Sequence, residues 1–206
     1  MSSRLVRLLA SLLLPVLAGC AVGPAVPAGS SDFIVVSDFV APQGVVHLDP
    51  SFGFSLYRGE AGVPKEQRAA SIGRAMGFLV TDTIVERLRA LGYDATSATA
   101  PASSSYRALI VSGSFRAIDE GSRRRVGNEH SAVIADVAIS AAFPGGATQQ
   151  VQSFAVDSRT APAAPARSGA TRRETGVDAD AGRVGAEIAR VVADVARRNN
   201  WIPAAR

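Results

Sequence analysis

Cysteine is nearly absent: Cys20 is the single one in 206 residues. An internal disulfide is therefore excluded, and so is a Cys-rich framework for zinc or an iron–sulfur cluster. Histidine occurs twice, at His47 and His130, and aromatics are only 6% of the chain. Lysine is reduced to Lys65, the other 21 of 22 basic residues being arginine. With so much alanine, this reads as high-GC codon usage rather than a selected binding surface. No P-loop, dinucleotide fingerprint, H-E-x-x-H helix, G-x-S-x-G elbow or internal repeat is present. What remains is globular composition, 47% hydrophobic and 19% charged. That is too apolar for a disordered chain.

The first twenty residues form one targeting unit. Arg4 and Arg7 give a positive start, Leu8 to Leu17 an apolar stretch broken by Ser11 and Pro15, and Leu17-Ala18-Gly19-Cys20 a small-residue ending before a cysteine. A secretory signal needs that order. Leu-Ala-Gly-Cys resembles the lipobox of bacterial lipoproteins. The resemblance implies a signal peptide over residues 1–19, a diacylglyceryl group on the Cys20 thiol and an acylated amine after cleavage. Two or three acyl chains, each contributing about 0.8 kcal/mol per buried methylene, hold a protein firmly. The alternative is a transmembrane anchor or a plain secretory signal, since no charge occurs from Leu8 to Ser31. Pro15, Gly19, Gly23, Pro24, Pro27 and Gly29 interrupt that run, and spanning needs about 20 mostly apolar residues. Removing residues 1–19 takes away Arg4 and Arg7, so 20 basic residues face 18 acidic ones and the charge falls from +4 to +2. In the lipoprotein family an aspartate after the cysteine is the usual inner-membrane retention signal. Ala21 stands there instead, which implies the outer membrane, with the domain expected to face the periplasm. Export argues against a nucleic-acid partner.

Residues 20–31 read as a lipidated Pro/Gly/Ala/Ser tether, and residues 32–206 as one domain. Residues 33–40 (FIVVSDFV) predict a strand, and residues 41–62 a long ordered loop with room for a short one. Residues 64–91 predict a helix with Ile72, Met76, Leu79, Val80, Ile84, Leu88 and Leu91 on one face, and Gly92 suits its left-handed cap. A short strand is expected over 93–97 and longer ones over 107–119, 131–143 and 149–156, the last two joined at Pro144-Gly145-Gly146. Residues 158–175 read as a mobile loop. A second helix is expected over 180–198, with Val184, Ile188, Val191, Val192 and Val195 buried. Arg183–Glu187 and Asp194–Arg198 are spaced for exposed ion pairs. Trp201 and Ile202 are expected to fold back onto the core. The sum is an α+β sandwich, a mixed and mostly antiparallel sheet of about four or five strands with both helices on one face. Strand order and oligomeric state are not readable at this level.

Few residues invite chemistry. Glu129-His130-Ser131 has the right types for a hydrolase, but neighbours on an extended chain face opposite ways and a triad must converge. The expectation is a turn or strand start. His47 and Asp49, two apart, are too few for a metal site, and a solvated or locally bonded histidine is expected. Gly73 and Gly77 form a G-x-x-x-G pair, but Arg74 and Asp82 nearby favour close helix–sheet packing over membrane dimerisation. The stretch Asp119-Glu120-Gly121-Ser122-Arg123-Arg124-Arg125 is the most distinctive. As a charged hairpin tip it serves solubility. As a site, Arg123, Arg124 and Arg125 would grip an anionic lipid, a lipid A phosphate or an acidic partner surface.

Val35-Val36-Ser37-Asp38-Phe39, the helix end Arg87-Leu88-Arg89-Ala90-Leu91-Gly92, and Val111-Ser112-Gly113-Ser114-Phe115 leading into Ile118-Asp119-Glu120-Gly121-Ser122-Arg123 occur in that order. Together, over residues 33 to about 160, they resemble a proteobacterial lipoprotein family built on a domain of unknown function. The resemblance implies an α/β sandwich of the kind found in periplasmic domains of secretion and envelope-assembly lipoproteins. The family's Gly-Phe-Gly-Ala-Gly type run is replaced here by Gly127-Asn128-Glu129-His130-Ser131. The expected function is a non-enzymatic assembly or accessory module of the cell envelope, in contact with membrane lipid and an envelope protein, with no cofactor and no metal. The alternative is a ligand-binding or sensing module using the arginine segment or a pocket beside residues 41–62. A hydrolase using Glu129 or His130 is the remote third reading.

Overall fold

The computed structural model describes residues 33–49, 63–98, 107–121, 130–162 and 176–200. In chain order these form β1 (Phe33–Val36), β2 (Val46–His47), α1 (Lys65–Ala90), β3 (Ala95–Ser97), β4 (Ala108–Asp119), β5 (Ala132–Ala142), β6 (Thr148–Asp157) and α2 (Val177–Arg198). The sheet runs β3-β1-β4-β5-β6, with β2 also on β4. β1 lies parallel to β3 and β4, β2 parallel to β4, and β4, β5 and β6 are antiparallel. This is an α+β sandwich with a mixed sheet of six strands, one or two more than the expected four or five.

Period-two alternation decides which sheet face is buried. In β5, Val133, Ala135, Val137, Ile139 and Ala141 are buried, while Ile134, Asp136, Ala138 and Ser140 on the other face stay half-exposed. The buried face carries both helices, which also pack on each other. α2 contributes Val184, Ile188, Val192 and Val195, and its alanines 181, 189, 193 and 196 are buried too. Small side chains let α2 sit low between the sheet and α1. Glycine makes the same allowance at close contacts. A Cβ on Gly77 would lie 2.4 Å from the Phe39 carbonyl oxygen, and one on Gly185 would lie 2.8 Å from Thr83 Cβ. A Cβ on Gly73 would lie 2.7 Å from Ala41 Cβ, so Gly73 and Gly77 admit the segment that follows β1, and the close approach expected towards the sheet is made to that connecting segment.

Several expectations need correction. The first strand stops at Val36, and Val40 rejoins only as an isolated bridge to Ser114. The break occurs where Phe39 turns into the core against Phe115, ring centroids 6.0 Å apart. Leu91 is exposed, because it caps α1 and lies past its last buried turn. Gly92 takes φ +87° as expected. The expected pairs Arg183–Glu187 and Asp194–Arg198 do not form. Arg183 bonds Asp180, Arg190 bridges Glu187 and Asp194, and Arg197 takes Asp194. α2 begins three residues earlier than expected, with Asp178 and Asp180 in its first turn where the helix dipole favours acids. Ser158, read as the start of a mobile loop, is buried and bonded to Val133. Trp201 and Ile202 lie outside the described residues.

Candidate functional site

Cys20 and Arg123, Arg124 and Arg125 lie outside the described residues, as does Glu129. Both flanks of the arginine segment are fixed, because Asp119 pairs with Ala132 across β4 and β5. On the β4 side Gly121 has φ +72° and donates its N–H to Asp119 Oδ1 at 2.8 Å. β2 ends beside the same place: His47 pairs with Asp119, the Glu120 N–H donates to the His47 carbonyl at 3.0 Å, and the Asp49 N–H donates to Glu120 Oε2 at 3.2 Å. The root of the arginine segment and the 41–49 loop therefore meet at one end of the sheet.

A cleft of about 790 Å³ opens there. Ala41, Val46, Leu48 and Ala69 make its apolar wall, and His47, Lys65 and Arg68 stand along it. Its helical side is the first turn of α1. That turn is capped by Pro64 without a side-chain hydrogen bond, so its N–H groups and partial positive charge face this end. Arg68 Nε is buried and has no hydrogen-bond partner among the described residues. Glu66 and Asp49 also line the cleft, so its polarity is mixed. A ligand with one anionic group and an apolar body suits such a lining. The sequence expected a pocket beside this loop. It did not show that α1, through Lys65 and Arg68, would supply the basic side.

Of the Glu129-His130-Ser131 stretch, His130 and Ser131 fall among the described residues. His130 is exposed, and the Ser131 hydroxyl donates to Asp180 Oδ2 at 2.5 Å. Asp180 also accepts from Arg183, whose Nε donates to the Ser158 carbonyl at 3.2 Å. This network ties the first turn of α2 to the start of β5 and the end of β6. His47 is exposed at the cleft and Asp49 is buried. Among the described residues, no group of three or more His, Cys, Asp or Glu could hold a metal ion, and no helix is long and apolar enough to cross a membrane.

The sheet face opposite the helices is the second feature sequence reading missed. Ser112, Ser114, Ala138 and Ser153 line a shallow depression of about 600 Å³. Arg116 crosses it to Asp136 at 2.7 Å.

No family model matches the chain, and no curated protein matches it. Some solved structures show a remote likeness. A PelC dodecamer from Paraburkholderia phytofirmans is 17% identical, covering 81% of this chain and 90% of that one, TM-score 0.36. A PelC variant dodecamer from the same organism is 16% identical, with coverages of 79% and 87% and TM-score 0.38. A neuraminyllactose-binding hemagglutinin homologue from Helicobacter pylori is 14% identical, with coverages of 85% and 86% and TM-score 0.34.

Proposed function

We propose that the chain is a lipid-anchored, non-enzymatic protein of the cell envelope whose folded domain serves as an assembly or accessory module. The observation that carries this reading is the order of its parts. A lipobox ending at Cys20 is followed by an uncharged spacer, and the folded domain starts at Phe33, with the β4–β6 part of the sheet face opposite the helices exposed among the described residues. In this reading the anchor sits in the outer membrane and the domain faces the periplasm. Replacing Cys20 by serine removes the thiol that takes the lipid and is expected to move the protein from the membrane pellet to the soluble fraction. Retention in the pellet would count against lipid anchoring. Cross-linking the protein in its native membrane is expected to capture one enriched envelope protein. Capture of bulk lipoproteins and lipid alone would remove the accessory role.

The cleft favours a second reading, recognition of an anionic envelope component. Its support is the basic start of α1 and the root of the arginine segment, brought to the same end of the sheet.

A further inference from the structure

We infer that β6 pairs antiparallel with β6 of a second copy across a two-fold axis, making one continuous sheet from two chains. This goes beyond the reading above and does not depend on it. Among the described residues β6 is bonded on one side only, to β5. From Thr148 to Val156 it carries no charge and no proline. Edge strands that stay unpaired are blunted with lysine, proline or irregularity, because their free N–H and C=O groups are a template for another strand. Here the one irregularity lies towards one end: Ile139 faces Gln152 and Ser140 faces Gln150, leaving Val151 unmatched. Beyond it, residues 152–157 run regularly.

The second copy is the occupant because this edge complements itself. A two-fold axis perpendicular to the sheet keeps both helix layers on one side, so residues facing each other must share a face. Centred on Phe154, the pairing sets Phe154 against its own copy, Gln152 against Val156, and Ser153 against Ala155. Phe154 is half-buried beside a groove of about 220 Å³ that Val191 and Ala161 also line, so its ring gains an aromatic neighbour. The charges fit the same register. Arg198 meets no carboxylate among the described residues and donates to Gln152 Oε1 at 3.0 Å. Glu187, which already accepts from Arg190, lines the groove near Val156 and Asp157. Setting Gln152 against Val156 brings Arg198 of each copy towards Glu187 of the other.

Native mass spectrometry of the full-length protein, released from detergent micelles over a concentration series, tests this. The wild type is expected as a dimer. Ser153 and Ala155 are exposed on the open face, so charge there leaves the core alone. The double variant Ser153→Lys/Ala155→Lys clusters four lysines at the axis and is expected to raise the dimer Kd at least roughly tenfold. Ser153→Glu/Ala155→Glu is expected to do the same, with both variants keeping the wild-type circular dichroism. Mixing the two restores a mixed dimer. A monomeric wild type overturns the inference, including one found only with a different protein. So does an assembly that ignores both charged variants, or a mixture that stays monomeric.

Discussion

Asp180 shows what one residue contributes to this fold. Its side chain is fully buried, and a carboxylate is kept in such a place only if its oxygens are bonded. Ser131 and Arg183 bond them, and Arg183 is itself 34% exposed, so the pair stands at the edge of the core. Asp180→Ala leaves a hydroxyl and a guanidinium facing a gap and is expected to cost about 2–3 kcal/mol in urea unfolding. Asp180→Asn keeps an acceptor and should lose less. Equal midpoints for wild type and Asp180→Ala would show that water replaces the carboxylate at no cost. Tyr93 makes the opposite case. Burial pushes its pKa above 10.0, Arg197 opposes that shift and Asp194 adds to it. The fold thus favours the neutral phenol, whose O–H donates to the Ala193 carbonyl at 3.4 Å. The stabilisation is complete below the unfolded pKa and is lost as pH rises through the raised folded value. Thermal midpoints followed from about pH 9 to 11 should fall, and fall less in Tyr93→Phe.

Between elements, contact distance decides more than side-chain character. Gly77→Ala improves helix propensity, yet its Cβ would meet the Phe39 carbonyl oxygen at 2.4 Å, and backbone cannot swing aside. Overpacking is expected to prevail, with a net loss of about 1–2 kcal/mol and a lower melting midpoint. An unchanged midpoint would mean that the 37–41 segment shifts freely. The same contact explains what sequence reading could reach. Both helices and the three long strands were legible, because period 3.6 runs through the helices and period two through β5, while β4 opens on an apolar run and β6 returns from the Pro144-Gly145-Gly146 turn. The break after Val36 was not, since local propensity continues through Phe39 and only a tertiary contact turns its ring inward. β2 is two residues long and exists only because β4 extends beyond β1. The ion pairs of α2 were misread because spacing names four-residue neighbours, whereas the three-residue partner was as near and Arg190 could reach two acids. At the candidate site, the loop and the arginine segment were visible as stretches. The meeting of the loop with the root of that segment at one end of the sheet was not, because it follows from strand order.

That end matters when the whole molecule is set on a membrane. β1 enters the sheet at Phe33, beside Ala108, and the arginine segment leaves from Asp119 at the far end of the same strand, β4. Twelve residues of strand separate the two ends by about 36 Å. Residues 20–33 span at most about 45 Å when extended, so an anchor at Cys20, as proposed, would let the domain stand off the surface or lie along it. For a chain anchored at Cys20 as proposed, standing off would turn the cleft and the Asp119 end of β4 away from the anchoring leaflet. Lying down would bring that same end of the sheet to the anionic headgroups. Membrane binding by an unlipidated Cys20→Ser protein that also lacks residues 1–19 separates these cases, because the lipid and the apolar leader are then both gone. If the segment recognises anionic lipid, that protein should sediment with anionic vesicles, lose most of this binding when the three arginines become alanine, and release as salt shortens the screening length. Binding indifferent to those substitutions would remove the arginine segment as a lipid contact and leave the outward-facing arrangement, with a protein partner, as the one to pursue.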